Sequence, residues 1–198
     1  MGILERWKLT PDELNEILES RPSLRGITFG YVSEYKLRKL WFSDKRFSQL
    51  STPDDHDRTR KGDFTFIYKD AHISVEAKSL QTRSIKRGDG AVVGKFQCDA
   101  SDRRAIRLPN GKTIETTCLL VGEFDLLAVN LFEFSQEWRF AFAKNTELPR
   151  TRYPKYTPQQ RKYLLATLMD ISWPPKPPFF DEPFRLLDEI VKRKLGRN

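Results

Sequence analysis

Asp63-Phe64-Thr65-Phe66-Ile67-Tyr68-Lys69-Asp70-Ala71-His72-Ile73-Ser74-Val75-Glu76-Ala77-Lys78 is the stretch that decides the fold of this chain. Phe64 to Tyr68 is aromatic and β-branched, as a strand requires. Lys69-Asp70-Ala71 reads as a short turn, and Ile73 to Lys78 resumes a strand. Two such runs across a short turn predict an antiparallel hairpin. Side chains alternate along a strand, so Glu76 and Lys78 share one face while Val75 and Ala77 point into the core. A tight hairpin sets the start of its first arm beside the end of its second. Asp63 is therefore expected next to Glu76, which gives two carboxylates and an ammonium at one end of a sheet.

Working outward, Thr10-Pro11-Asp12-Glu13 predicts a helix start: a hydroxyl cap, a proline in the first turn and acids at the positive dipole end. That helix runs to about Ser20, and a second covers Phe29 to Phe42. Ser51 to Lys61 reads as a polar loop. Beyond the hairpin, Leu80 to Gly94 is a basic, glycine-containing excursion. Strands are expected over Ala105 to Leu108 and Lys112 to Val121, around a Pro109-Asn110-Gly111 turn. A hydrophobic hairpin follows, Phe124 to Phe132 and Trp138 to Ala143, whose first arm is apolar enough to be buried on both faces. Thr157-Pro158 opens a helix to about Asp170. Four prolines between Trp173 and Phe180 forbid helix there. Asp181-Glu182-Pro183 starts a last helix that Gly196 ends. The expectation is one α/β domain over 1–198, with N-terminal helices at 10–42, a catalytic β core at 63–143 and C-terminal helices at 157–196.

Composition narrows the function classes. The chain has 198 residues, 35 Lys+Arg against 27 Asp+Glu, and a net charge of +8. With 38% hydrophobic residues it has the means to build a core and is not a disordered tail. No apolar run is long enough for a membrane helix, and the start, Met1 to Thr10, lacks a secretory apolar region; a cytoplasmic protein is expected. Cys98, Cys118, His56 and His72 are the only soft metal ligands and none are paired locally, so two reduced thiols are expected rather than zinc. So few histidines also argue against a histidine-based triad. The segment Leu80 to Lys112 carries eight basic and three acidic residues. Clustered Lys and Arg suit a polyanion backbone, because each neutralised phosphate releases counterions.

Two carboxylates, helped by the Ala77 carbonyl, supply hard oxygen ligands for Mg²⁺. Bound metal polarises a phosphate and lowers the pKa of a water. Lys78 orients or helps deprotonate that water and offsets negative charge as it develops. The plain alternative is a cross-strand ion pair on a solvated face.

Asp63 followed by Glu76-Ala77-Lys78 on a hairpin resembles the PD-(D/E)xK nucleases, the restriction-endonuclease-like fold. The resemblance implies a central mixed β-sheet flanked by N- and C-terminal helices. It implies that Asp63 and Glu76 bind Mg²⁺, for which Mn²⁺ substitutes, and that Lys78 is catalytic. Gly62 stands where the motif name has Pro, a position without chemistry. Pro53-Asp54 lies in a polar loop and is the weaker match. Many members carry Gly-xxx-Glu on the preceding helix, which Gly30 to Glu34 matches, so Glu34 is an expected extra metal or water ligand. Some branches carry a Gln after the Lys, a place Gln97 could fill. A second ExK copy, Glu34-Tyr35-Lys36, sits in predicted helix and is set aside. The pattern covers roughly Gly30 to Ala143.

The implied function is a Mg²⁺-dependent DNA endonuclease of restriction or defence type. A repair or junction-resolving nuclease, or a nucleic-acid-binding protein without catalysis, are the rivals. Arg83, Lys86, Arg87, Lys95, Gln97, Arg103 and Arg104 are the expected DNA contacts. Cutting both strands would take two copies, so a homodimer is expected.

Overall fold

The computed structural model describes residues 1–52, 62–88 and 90–196. Pro53-Asp54, His56 and most of the polar loop read at 51–61 lie outside the described residues. In chain order the elements are α1 (Ile3–Trp7), α2 (Pro11–Ser20), α3 (Pro22–Trp41), β1 (Phe47–Ser51), β2 (Phe64–Tyr68), β3 (Ala71–Ser79), β4 (Lys86–Gly88), β5 (Ala91–Gln97), β6 (Asp99–Arg107), β7 (Thr113–Cys118), β8 (Leu126–Asn130), α4 (Phe132–Ser135), β9 (Phe140–Lys144), α5 (Pro158–Arg161), β10 (Leu168–Trp173) and α6 (Phe184–Leu195). No helix among the described residues is long and apolar enough to cross a membrane.

Thr10 caps α2 as its sequence predicts. Its hydroxyl accepts the Glu13 amide at 3.2 Å, and the Glu13 carboxylate accepts the Thr10 amide at 2.8 Å. These two bonds satisfy donors that a helix start leaves open. Pro22 ends α2 but also opens α3, because proline is tolerated in a first turn. The second helix therefore starts at Pro22 instead of Phe29.

The centre is a five-stranded mixed sheet in the order β1-β2-β3-β8-β9. β2 and β3 form the predicted hairpin, with Phe64 opposite Val75 and Tyr68 opposite Ala71. β3 then pairs with β8 in parallel, setting Glu76 beside Leu127 and Lys78 beside Val129. β8 and β9 are antiparallel, and every residue of β8 is buried, as its unbroken apolar run requires.

Alternation splits the sheet into two faces. On the first, Phe64, Phe66, Ile73, Val75, Leu126, Ala128 and Phe142 pack with Leu37 of α3, Phe42 just after it, and Leu187 and Ile190 of α6. On the second, Leu127, Val129, Ala141 and Ala143 pack with Phe96, Cys98, Met169 and Ile171. The molecule is thus α/β, with its long helices against one face of a mixed sheet.

The second face is covered by β structure, which corrects the C-terminal reading. The helix expected from Thr157 to Asp170 stops at Arg161. The chain after it bridges Leu164 to Leu120 and Leu165 to Arg150, then forms β10. β10 pairs with β5, and β5 with β4, in a three-stranded sheet. β6 and β7 make a separate hairpin.

Asp125 joins these layers. It is buried, and its carboxylate accepts the Ser74 amide at 3.0 Å and the Ser74 hydroxyl at 3.1 Å from β3. The same oxygen meets the Lys194 ammonium of α6 at 2.5 Å. β3, the start of β8 and the last helix are held at one point.

Candidate active site

Asp63 enters the sheet one residue before β2, and Gly62 sets its approach. Gly62 has φ +80°, and a Cβ there would lie 2.7 Å from the Val75 carbonyl oxygen. Proline cannot adopt that angle, since its ring fixes φ near −65°. This explains why the position before Asp63 departs from the motif name. The close approach lets the Asp63 amide donate to the Val75 carbonyl at 2.8 Å. One Asp63 carboxylate oxygen accepts the Ala77 amide at 2.6 Å. Asp63 is thereby tied to both residues that flank Glu76. Gly62→Ala should cost about 1–3 kcal/mol from backbone strain alone. It should also lower any activity that needs Asp63 in place. Urea unfolding checks the first effect, and a loss below about 0.5 kcal/mol would contradict it.

Glu76 is buried on the second face, and Lys78 lies two residues on, on the same side. The Lys78 ammonium meets the Glu76 carboxylate at 2.7 Å, with the side chains 22% and 12% exposed. Burial, then the Asp63 carboxylate, push the Glu76 carboxyl up to about 7 against the pull of Lys78. Burial alone would lower Lys78, but the Glu76 and Asp63 carboxylates outweigh it and hold the ammonium above the ordinary lysine range. The two carboxylates thus favour the protonated form of Lys78.

The sign of the Glu76 shift gives a pH dependence. Its folded pKa lies above the unfolded 4.5, so the folded state holds the proton longer. Stability should fall as pH rises from about 4.5 to about 7 and level off above, by on the order of 1–3 kcal/mol. The slope should vanish in Glu76→Gln. Thermal melts at pH 5 to 8 in EDTA read this directly, and equal slopes in the two proteins would refute it.

Two neighbours of the site carry no local sequence signal. Glu123, in the turn before β8, adds to the negative charge around Glu76. Its side chain is 5% exposed and is clamped by Arg104 through two contacts, at 2.5 and 2.6 Å, while also accepting the Leu120 amide at 2.7 Å. Cys98, just after β5, lies within electrostatic reach of Lys78 and Glu76, and burial pushes its thiol up to about 12. Both cysteines are free and buried, as expected. Val92, Gly94, Phe96 and Cys98 alternate with exposed or half-exposed residues, a period-two signal that could have revealed β5 and its approach to the site.

The expected DNA contacts take several roles. Arg83, Lys86 and Arg103 are exposed. Arg87 donates to the Phe134 carbonyl at 2.9 Å, Lys95 pairs with Asp170 at 2.6 Å, and the Gln97 amide bonds Asp99 at 3.0 Å. Arg104 is turned inward on Glu123, so it supports the site's surroundings and does not present a free guanidinium. Glu34 lies half-buried on α3, one helical turn before Leu37, which packs in the core of the first face.

Glu76 is buried and Asp63 half-buried, and the charge of both carboxylates acts on the Lys78 ammonium. Hard carboxylate oxygens of this kind fit a divalent cation. Among the described residues no group of three or more His, Cys, Asp or Glu side chains is gathered as a metal cluster. A cation at this point would be shared by two side chains, with backbone carbonyl and water completing its shell.

No protein-family model matches the chain, and no curated protein matches it. Among solved structures, that of a bacterial homing endonuclease, I-Ssp6803I, is similar at 15% identity over 68% of this chain and 85% of that one, with a TM-score of 0.32. What the site can do is decided by its own geometry.

Proposed function

We propose that this chain is a divalent-metal-dependent nuclease that hydrolyses phosphodiester bonds in DNA, and within that class a site-specific or defence endonuclease. The observation that carries the proposal is the Lys78 ammonium held on buried Glu76, with Asp63 across the hairpin. Asp63, Glu76 and the Ala77 carbonyl would hold Mg²⁺ or Mn²⁺, which when bound polarises a phosphate and makes its water more acidic. The Ala77 amide and the Gly62 turn fix the Asp63 carboxylate. Lys78, protonated and anchored, places positive charge where negative charge grows on the phosphate. Arg83 and Lys86, a few residues beyond, offer the backbone charge that a polyanion binds.

Supercoiled plasmid and branched DNA, each with Mg²⁺ or with EDTA, test the proposal. Nicking or linearisation in Mg²⁺ alone is the expected result. Faster cutting of the branched substrate would move the enzyme into the junction-resolving class. Binding without cutting under every divalent metal tried would overturn the proposal and leave Glu76 and Lys78 as a structural ion pair.

A further inference from the structure

Beside the candidate site the β6–β7 hairpin and the segment 151–156 enclose a second cavity, of about 290 Å³. Arg103, Thr151, Tyr153, Lys155, Tyr156 and Thr167 are among the residues that line it. The wall therefore offers two cations and several hydroxyls, and no carboxylate is among the described residues that line it. Its position follows from the backbone. Asp99 pairs with Cys118 across the hairpin, and the Cys98 amide donates to the Thr167 carbonyl at 2.8 Å. Cys98 is the thiol that borders Lys78, so only this short stretch of chain separates the two sites.

The hydroxyls beside the two exposed cations are held in place. The Tyr156 and Thr116 hydroxyls meet at 2.6 Å, and Thr116, itself 1% exposed, accepts the Cys118 amide at 2.9 Å. The Tyr153 ring stands edge-on to Tyr156 with centroids 6.0 Å apart. The Thr151 hydroxyl accepts the Tyr153 amide at 3.2 Å. Cations backed by fixed hydroxyl donors are the groups that recognise a phosphate: charge for its oxygens, directional bonds for its orientation.

We propose that this cavity is a phosphate-binding subsite in which Arg103 and Lys155 hold a phosphate next to the one attacked at Asp63, Glu76 and Lys78. The phosphate belongs to a polynucleotide backbone or to a free mononucleotide, and its adjacency to an attacked bond rests on the nuclease reading. Binding itself does not.

The experiment uses the full chain in EDTA, so that no cleavage is needed. A labelled DNA duplex is titrated by fluorescence anisotropy, and thermal melts are run with inorganic phosphate and with AMP. Arg103→Glu/Lys155→Glu is compared with wild type and with Arg107→Glu/Lys112→Glu, an exposed pair further along the same hairpin that changes net charge equally. A DNA affinity loss of about 10- to 100-fold in the cavity variant, well beyond the control, with a salt slope lower by about two, identifies a backbone phosphate. Loss of the phosphate- and AMP-dependent rise in melting temperature, with DNA binding intact, identifies a free one. Cavity and control variants that match each other in both assays would overturn the proposal. Wild type that never cuts DNA, with these binding losses intact, would sink the nuclease reading and leave the subsite standing.

Discussion

Lys78→Ala is expected to lower Mg²⁺-dependent DNA cleavage by about 10²–10³-fold, the loss typical of one pre-positioned charge-stabilising group. Binding to DNA in EDTA should change far less, because the exposed bases of the 80–112 segment remain. Single-turnover cleavage of plasmid reads the rate and anisotropy reads the binding. The fold complicates the result and must be controlled. Removing the ammonium leaves buried Glu76 and Asp63 facing each other, and breaking a buried pair from one side can cost about 3–5 kcal/mol. Glu76 can escape part of that by keeping its proton. The control is Lys78→Met with Glu76→Gln, which removes both charges at similar volume. It should regain stability and stay inactive. If a folded Lys78→Ala protein cuts at more than about a tenth of the wild-type rate, Lys78 is not the catalytic cation.

Phe42→Ala should cost about 3–5 kcal/mol, the largest stability loss foreseen for a single side chain. Phe42 is 1% exposed and follows α3 directly. Its ring lies 5.3 Å from that of Phe47, 5.5 Å from Phe64, 4.9 Å from Phe66 and 6.4 Å from Phe142. It therefore joins the helical layer to β1, β2 and β9 together. Truncation would open a void that the four surrounding aromatic rings cannot all close at once, since cores relax only partly. For a chain of this size the melting temperature should fall by about 10 °C or more. Urea denaturation followed by near-ultraviolet circular dichroism gives both numbers. A loss under about 1.5 kcal/mol would mean that α3 is not seated on the sheet as described.

How much of this was legible depended on how local the cause was. The β2–β3 hairpin was legible because Phe64, Phe66, Ile73 and Val75 alternate over a short turn, and the turn alone brings Asp63 to Glu76. β8 was legible because Leu126 to Val129 are all apolar. The chain from Lys162 to Trp173 was not. Tyr163, Leu164, Ala166, Leu168 and Met169 look like helix, but the edge of β5 offers backbone partners from Val92 to Gln97 and the burial they bring overrides propensity. The pairing of Arg104 with Glu123 was equally hidden, since only the folded sheet brings them together. Arg104 read as a DNA contact for the same reason that every exposed-looking Arg in a basic segment does.

The parallel seam between β3 and β8 also sets a timetable for the nascent chain. Asp63 and Glu76 can meet as soon as one short turn closes. The strand beside them in the sheet is about fifty residues further along, as the Ser74–Asp125 bond across 51 positions records. Closing that distance costs more chain entropy than closing the turn, and long-range parallel pairing is slow. The acidic pair can thus form before the parallel pairing that completes the sheet around it. Glu76 is raised by burial on the second face, so its elevated proton affinity needs the layer around Phe96 and Cys98 as well as the hairpin turn.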